Sequence, residues 1–368
     1  MRILITVPHL SNTGGVANYY RTIKPYYTAN VNYHVVGTAT CQGRRTPRLL
    51  QLLRDYVSLR RALVTGRYDI VHVNPSLNAQ AVLRDGASLL LAQRLGHRTV
   101  VFFRGWSDSF EAAIQKHWLG LFRRVYFRAD CIVVLARQFE ATLRRWGYTG
   151  HLVCETTVSH EDIAGHGCLV ASRADRPSDS CGLLVMSRIE ATKGILTSIR
   201  AFEILKRRFP HLTLTIAGTG SGLPDAEAFV TQRAIEDVHF VGYLRGQDKA
   251  QALHAADIFV LPSTREGMPN SVLDAMAHGL PIVTRYVGGL RDFFESGLMG
   301  FATESTDPEV FVELIERLLL EPALRLKIGQ FNQRYAREHF SPAVVAHRME
   351  SLYHQLLRGA RPNGMSYR

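Results

Sequence analysis

Short apolar runs alternate with longer amphipathic stretches along almost the whole chain. In the first half, apolar runs predict strands at residues 2–7, 33–36, 70–73, 99–103, 131–135 and 151–154. Apolar residues at helical spacing predict helices at residues 15–27, 49–65, 79–95, 110–128 and 137–146. The alternation of the two patterns predicts parallel sheets with helices on both faces, which is an α/β fold.

The alternation is interrupted between residues 160 and 181, where Gly, Ser, Asp, Arg and Pro accumulate. It resumes with a predicted strand at 182–187 and continues to about residue 337, and a last helix is predicted at 342–357. We therefore predict a first domain at residues 1–165, a linker at 166–181, a second domain at 182–341 and a closing helix with tail at 342–368. A chain of 368 residues is long enough for two domains with separate cores.

Composition and cysteine usage are those of an ordinary globular protein. The apolar fraction is 46% and the charged fraction 21%. The first ten residues are too short and too polar for a signal peptide, and no apolar run reaches the roughly 18 residues of a membrane span. The five scattered cysteines favour reduced thiols in a cytoplasm, with a Cys168–Cys181 disulfide as the less favoured alternative.

The net charge of +12 lies almost entirely in the first half. Residues 1–175 contain 22 Lys and Arg against 11 Asp and Glu, whereas the remainder contains 22 against 21. Residues 44–67 and 116–128 mix Arg with Leu and aromatic residues at helical spacing, which is typical of helices on an anionic membrane surface. The alternative is that these apolar faces belong to the core. Nucleic acid is not expected, because no recognition motif is present.

Candidate chemistry is concentrated in residues 256–300, where a loop separates a predicted strand from a predicted helix. Backbone amides at a helix start are unpaired and favour an anion. Glu266, at the start of this loop, would repel a bare phosphate and fits better as an acceptor for sugar hydroxyls near a diphosphate. The alternative is an acid that interacts with the helix dipole. Asp274, eight positions later, is predicted to reach a ribose. The other predicted ligand contacts in this loop are Gly267, Met268, Pro269, Asn270 and Ser271.

Further candidates follow predicted strands, where doubly wound sheets bind their ligands. Arg188 and Lys193 supply fixed positive charge for phosphate oxygens, or form an exposed basic pair. Tyr243 is predicted near a nucleotide base. Glycines would permit close backbone approach. The predicted ligand-facing residues of these loops are Gly14, Gly15, His72, Arg104, Gly218, Gly220 and Tyr243.

Several of these segments resemble the retaining glycosyltransferases of family 4, which have the GT-B fold. Residues 266–274 resemble the E-x7-E motif, and MSRIEATKG at 186–194 resembles G-R-L-x-x-x-K-G. The segments SNTGGV, IAGTGSG and VHFVGY resemble the glycine loops and strand of the same family. The resemblance extends from residue 3 to about residue 300. It implies two doubly wound parallel-sheet domains facing across a cleft, with a C-terminal helix that crosses back to the first domain.

By resemblance, the protein transfers a sugar from a nucleotide-diphosphate donor with retention of configuration, UDP being favoured over GDP. Arg188 and Lys193 would neutralise the leaving diphosphate, so neither a metal nor another cofactor is expected. The implied acceptor is a lipid-linked saccharide or polysaccharide in surface-glycan assembly, reached from the cytoplasmic face of the membrane. The alternatives are a sugar-nucleotide epimerase of the same fold and a non-catalytic scaffold that binds anionic surfaces.

Two residues depart from the pattern of the family. Asp274 stands where the family usually has Glu, which is one methylene longer. Arg104 follows a strand at which the family commonly has His, and an arginine there could bind a phosphate or carboxylate on the acceptor. The alternative is that Arg104 pairs with Asp108 and shapes the loop.

Overall fold

The computed structural model describes residues 1–12, 14–37, 48–159 and 180–360. The chain divides into two compact units, one formed by Met1–Val158 with Pro342–Arg368 and the other by Ser159–Ser341. Most of the predicted linker at 166–181 lies outside the described residues, as do Thr13, Cys41 and Cys168.

The first unit is built on a six-stranded parallel sheet. Its strands are β1 (Arg2–Val7), β2 (Asn30–Val35), β3 (Ile70–Val73), β5 (Arg98–Phe102), β7 (Cys131–Val134) and β8 (His151–Cys154), in the order β2-β1-β3-β5-β7-β8. Two short strands, β4 (Ser76–Leu77) and β6 (Gly105–Trp106), pair beside it. The predicted strands are therefore confirmed, with ends that shift by one residue and a β2 that begins three residues early.

Helices cover both faces of this sheet. They are α1 (Gly15–Ile23), α2 (Arg48–Thr65), α3 (Ala79–Arg94), α4 (Asp108–Ala113), α5 (Leu119–Tyr126) and α6 (Arg137–Arg145). The continuous helix predicted at 110–128 is wrong, because a π turn at Ile114–Trp118 separates α4 from α5. In a regular helix Ile114 and Phe122 would point about 80° apart. The extra residue of the π turn brings both into the core, where each is almost fully buried.

The last helix, Pro342–Leu357, belongs to the first unit and packs against α1. Its Glu350 carboxylate accepts hydrogen bonds from the backbone amides of Thr28 and Ala29, at 2.7 and 2.6 Å. Its Arg348 pairs with the buried Glu155 at 2.9 Å. These contacts make the end of the chain part of the N-terminal sheet's helical layer, as the family resemblance implies.

The second unit repeats the architecture of the first. Its strands are β9 (Gly182–Met186), β10 (Thr213–Ala217), β11 (Val238–Gly242), β12 (Ile258–Leu261), β13 (Ile282–Arg285) and β14 (Gly300–Thr303), all parallel, in the order β11-β10-β9-β12-β13-β14. Its helices are α7 (Ile195–Lys206), α8 (Leu223–Gln232), α9 (Gly246–Ala255), α10 (Asn270–Ala277), α11 (Leu290–Phe293), α12 (Pro308–Leu320) and α13 (Pro322–Phe340). The helix Pro342–Leu357 of the first unit is α14.

In each sheet the first strand of the unit is an inner strand. The next strands along the chain are added on one side of it, and the later strands are added on its other side. This reversal falls between β1 and β3 in the first unit and between β9 and β12 in the second. The loops that follow the two strands of such a pair run to opposite faces of the sheet. Open α/β sheets bind their ligands in the crevice between these two loops. The fold therefore indicates the loops after β9 and β12 as the place to look for a site.

Candidate functional site

Lys193 and Glu266 meet at the reversal point of the second sheet. Lys193 lies on the loop after β9 and Glu266 on the loop after β12, and Lys193 Nζ is 2.6 Å from Glu266 Oε1. Only 11% of the lysine side chain and 13% of the glutamate side chain are exposed. Little water reaches either charge, so each is compensated mainly by the other. The pair is therefore stable only if both loops hold the two side chains in place.

Backbone contacts fix the two loops against each other. The amide of Thr264 donates to the carbonyl of Thr192 at 2.8 Å, and the fully buried Ser263 hydroxyl lies 3.1 Å from the same carbonyl. Gly194 has a φ of 69°, and a Cβ built there would overlap the carbonyl oxygen of Pro262. The loops therefore pack backbone to backbone, which leaves Lys193 and Glu266 little freedom to separate.

A third loop, after β13, supports Glu266 from its other side. The amide of Gly289 donates to the carbonyl of Gly267 at 2.7 Å. Gly288 has a φ of 52°, and a Cβ at this position would overlap the carbonyl oxygens of both Glu266 and Gly267. Glycine at 288 is therefore required for the Glu266 loop to keep its path.

The glycine loop after β10 supports the segment that carries Arg188. Cβ atoms built at Gly218 and Gly220 would overlap the carbonyl oxygens of Ser187 and Ile189, respectively. Arg188 itself is 71% exposed and donates from Nη1 to Glu190 Oε1 at 2.7 Å. Of the two predicted phosphate ligands, Lys193 is thus buried in the loop junction, whereas Arg188 points outward and can reorient at little cost.

The start of α10 lies directly after Glu266. Met268 and Pro269 are buried, and Gly267, Asn270 and Ser271 are partly exposed. No side chain of the described residues caps the helix. Amides at an uncapped helix start are donors in need of partners, so this end can accept an anionic or hydroxylated ligand. The structure thus brings Lys193, Glu266 and the α10 start together in one place.

Asp274 lies in surroundings different from those predicted, whereas the position of Tyr243 is compatible with the predicted base contact. The Asp274 carboxylate is only 2% exposed and pairs with Lys249 of α9. This buried pair occupies the carboxylate that we predicted as a ribose acceptor, and Lys249 has no motif that would have identified it from the sequence. Tyr243, after β11, is 48% exposed, so its ring is available to stack on a base.

In the first unit, Gly14 and Gly15 form the start of α1. A Cβ at Gly14 would meet no atom of the described residues within 4 Å. Arg104 lies elsewhere on the same carboxyl edge of the sheet, in an aromatic setting. Its guanidinium carbon is 3.8 Å from the ring centre of Tyr19 and 4.3 Å from that of Phe102, and Nη2 donates to Thr157 at 3.4 Å. Within the described residues the Nε and Nη1 atoms are buried and make no hydrogen bond, so no described carboxylate forms a bidentate pair with Arg104.

His72 is fully buried beneath the helices α1 and α14. Tyr20 donates to Asn74 at 2.5 Å, so its oxygen accepts from His72 Nε2 at 3.4 Å. His72 Nδ1 then accepts from the Tyr353 hydroxyl at 2.7 Å. Both ring nitrogens are occupied within the unit, and this geometry gives no support to the ligand contact predicted for His72.

The buried His72 makes the stability of the first unit dependent on pH. Burial, with a smaller contribution from Arg104, lowers the pKa of His72 to about 3, whereas an unfolded histidine titrates near 6.5. Below pH 6.5 the unfolded chain therefore binds a proton at His72, whereas His72 of the folded chain stays neutral. We expect stability to fall, by up to about 1.4 kcal/mol per pH unit from this group, as the pH decreases from 6.5 towards 3. Urea unfolding across this range measures it. His72→Gln should remove this part of the slope, and identical slopes in both proteins would contradict the prediction.

The described part of the chain contains no group of three or more His, Cys, Asp or Glu side chains placed to bind a metal ion. Within the same residues, no helix combines the length and hydropathy that a membrane span needs.

Comparison with known proteins identifies both units. Residues 173–335 match the family model described as glycosyl transferases group 1, and residues 18–154 match a glycosyl transferase 4-like domain. The two matches together account for more than half of the chain.

Three curated relatives illustrate the range of similarity. A glycogen synthase of Mycobacterium tuberculosis is 30% identical over 213 residues, which are 57% of this chain and 50% of that protein. The putative glycosyltransferase EpsD of Bacillus subtilis is 26% identical over 84% of this chain and 82% of its own length. The lipopolysaccharide core biosynthesis glycosyltransferase LpsE of Rhizobium meliloti is 27% identical over 61% and 64%. The chain thus spans about half the length of the glycogen synthase that it matches.

Solved structures agree on the fold. A sucrose-phosphate synthase of Thermosynechococcus elongatus superposes with a TM-score of 0.77 at 19% identity, covering 98% of this chain and all of the other. Anabaena HepE, solved with UDP-glucose, superposes with a TM-score of 0.73 at 16% identity, covering 96% of this chain and all of the other. By the family of both units and by its fold, the chain belongs to the glycosyltransferases of the GT-B type.

Proposed function

We propose that the protein is a retaining glycosyltransferase that transfers a sugar from a nucleotide-diphosphate donor bound at the second unit. The observation that supports this most is the Lys193–Glu266 pair at the reversal point of the sheet. It places a cation and a carboxylate side by side, next to an uncapped helix start. A sugar attached to a diphosphate carries the matching groups, an anion and a set of hydroxyls, on neighbouring atoms.

The proposed roles follow from charge. Lys193 and the outward Arg188 would neutralise the diphosphate as it leaves, with the amides at the start of α10 as further donors. Glu266 would accept a hydroxyl of the transferred sugar. An oxocarbenium-like sugar would form as the bond to the diphosphate breaks, and the leaving phosphate oxygen would take the proton of the attacking acceptor hydroxyl on the same face. Neither a protein nucleophile nor a metal is needed in this scheme.

We propose UDP as the nucleotide in preference to GDP. The similar structure of HepE with UDP-glucose supports this choice. The exposed Tyr243, at the end of a neighbouring strand, is proposed to stack on the base.

For the acceptor we propose a lipid-linked saccharide or polysaccharide of a surface glycan, which the similarity to LpsE supports. Among the residues that the structure describes, two buried guanidinium nitrogens of Arg104 have no hydrogen bond, and the residue lies at the carboxyl edge of the first sheet. We propose that these nitrogens bind a phosphate or carboxylate of the acceptor, because buried donors without a hydrogen bond gain most from an anion.

The same acceptor would bring the protein to the cytoplasmic face of a membrane as a peripheral protein. The charge excess of the first half supports this location. Helix α2 adds to it, since it buries Leu59 and Leu63 on one side while Leu53 and Val57 on the other side are 55% and 64% exposed. An exposed apolar stripe on an arginine-rich helix is typical of interfacial binding.

Calorimetric titration with UDP, GDP, ADP and CMP tests the donor site. We expect one diphosphate, UDP, to bind, and Arg188→Ala to weaken that binding by about tenfold or more, as the loss of a charge-assisted hydrogen bond costs about 1.5–3 kcal/mol. Arg208→Ala is the matched control, because Arg208 is also an exposed arginine of the second unit paired with a glutamate, Glu316. Binding of none of the four nucleotides would contradict the transferase and favour the non-catalytic scaffold.

A further inference from the structure

A groove in the first unit contains none of the candidate site residues named above. Helices α3 and α5 line it with residues at helical spacing, including Leu90, Gln93 and Arg94 from α3 and Leu121, Arg124 and Arg128 from α5 and the turn after it. Each helix thus contributes one leucine and at least one arginine to the lining of the groove.

The groove opens at the amino edge of the sheet. Its floor includes Arg98, the first residue of β5, and Asp130, which directly precedes β7. The candidate acceptor residues Gly14 and Arg104 lie at the carboxyl edge, after β1 and β5. A strand of this length separates the two edges by about 15 Å. A ligand in the groove is therefore not the reacting acceptor.

The groove is strongly cationic and its charges are unused. Arg94, Arg124 and Arg128 are exposed, and none of the three takes part in an ion pair in the described ranges. Arg98 is engaged, because its Nη1 donates to the carbonyl of Leu356 at 2.5 Å. The acid of the groove, Asp130, is likewise engaged and accepts from the amide of Thr99 at 2.7 Å. Three free arginines thus converge on one opening.

A buried amide in the groove also lacks partners. Both Oε1 and Nε2 of Gln93 are inaccessible to solvent and make no hydrogen bond within the described part of the chain. A buried amide without partners costs about 1–3 kcal/mol. Gln93 lines the groove, and a change of its side-chain rotamer would bring Nε2 into the opening, where a ligand oxygen can accept from it.

The rim beside the arginines is apolar. Leu121 is 48% exposed, and Trp118, three residues earlier, is 54% exposed. Tryptophan at the border of a charged patch is typical of side chains that enter the interfacial region of a bilayer. A free phosphate ion would contact the arginines and gain nothing from this rim.

We propose that this groove binds the phosphate head of an anionic membrane lipid, with Gln93 and the three arginines on the phosphate and with Leu121 and Trp118 against the first methylenes of the chains. The site would anchor the first unit to the bilayer by a lipid that is not consumed. It rests on the membrane location proposed above and is independent of sugar transfer.

Trp118 provides a direct readout, because the other two tryptophans, Trp106 and Trp146, are 9% and 1% exposed. Vesicles of phosphatidylcholine with phosphatidylglycerol should shift the tryptophan emission to the blue, and Trp118→Phe should abolish the shift. Vesicles of phosphatidylcholine alone should cause none. A response to inorganic phosphate with no response to the anionic vesicles would overturn the lipid as occupant.

Two variants separate a built site from diffuse attraction. Arg124→Gln with Arg128→Gln should weaken vesicle binding by about tenfold or more, since each basic residue near an anionic surface contributes about 1 kcal/mol. The control pair, Arg334→Gln with Arg337→Gln, removes the same charge from exposed positions of α13 and should change binding less than threefold. Gln93→Met keeps the net charge and should still weaken vesicle binding severalfold. Unchanged binding in this variant would contradict a lipid site in the groove and would indicate general electrostatic attraction instead. Nucleotide binding should be the same in all of these proteins, so failure of this proposal is distinguishable from failure of the transferase.

Discussion

Replacement of Lys193 by methionine is expected to lower the rate of sugar transfer by roughly a hundred- to a thousandfold, the usual loss when one charge-stabilising group is removed. Methionine has nearly the shape of lysine but no charge. The variant therefore removes the cation that faces the developing diphosphate and leaves the loop junction filled. The rate is measured as release of nucleoside diphosphate from the donor sugar nucleotide.

The same substitution leaves Glu266, which is 13% exposed, without its partner. Removal of one member of a largely buried pair costs about 3–5 kcal/mol. A loss of activity could then reflect partial unfolding. The double variant Lys193→Met with Glu266→Gln resolves this, because a neutral pair of similar volume carries no uncompensated charge. We expect stability to return towards that of the wild type, since the two residues are in contact and their effects are coupled.

Activity should remain low in the double variant, because neither a cation nor a carboxylate is restored. Urea unfolding and the release assay on the same preparations separate the two effects. Recovery of transfer to within tenfold of the wild type in the double variant would show that the pair is structural only, and the proposed roles of both residues would then be wrong.

The sequence was sufficient for the architecture and for the neighbourhood of the site. Apolar runs of four to six residues between amphipathic stretches indicated the parallel sheets, because buried parallel strands need nonpolar residues on both faces. Strand ends marked by Arg188, Lys193 and Glu266 then had to lie on one edge of the second sheet. The structure adds that Lys193 and Glu266 flank the reversal of strand order, and this depends on which strands pair.

Contacts between loops could not be predicted from the pattern. Ser263 lies between Thr192 and Arg265, and Lys249 reaches Asp274 from a different helix. A buried serine or lysine has no periodic signature, because its burial is decided by a partner far along the chain. His72 illustrates the same limit. It follows two apolar strand residues like a ligand-facing histidine, yet Tyr20 and Tyr353 enclose it.

The interruption of the helical stretch at 110–128 could likewise not be predicted from the sequence. A regular helix would have turned Ile114 and Phe122 about 80° apart, and the π turn that brings both into the core leaves no mark in the spacing of single residues. The same turn ends at Trp118, which lies outside the core with 54% of its surface exposed, three residues before Leu121 of the groove lining. The surface chemistry of this unit thus depends on a local departure from helical periodicity.

Replacement of Gly288 by alanine is expected to reduce transfer by about a hundredfold although residue 288 contributes no side chain to the reaction. Its φ of 52° is unfavourable for alanine, and the added Cβ would overlap the carbonyl oxygens of Glu266 and Gly267. The loop must therefore move, and Glu266 moves with it relative to Lys193. A displacement of about 1 Å in a catalytic arrangement can cost a factor of about 100.

Gly297→Ala separates this effect from backbone strain. Gly297 has a φ of 89° in the same unit, but a Cβ there would meet no atom of the described residues within 4 Å. Both variants carry the cost of a left-handed alanine, about 1–2 kcal/mol, and should lose similar stability from it. Only Gly288→Ala changes the position of Glu266, so it alone should lose transfer in the release assay. Equal activities in the two variants at matched folded fractions would mean that the path of the Glu266 loop does not control the reaction, and that its contact with the β13 loop serves only the packing of the second unit.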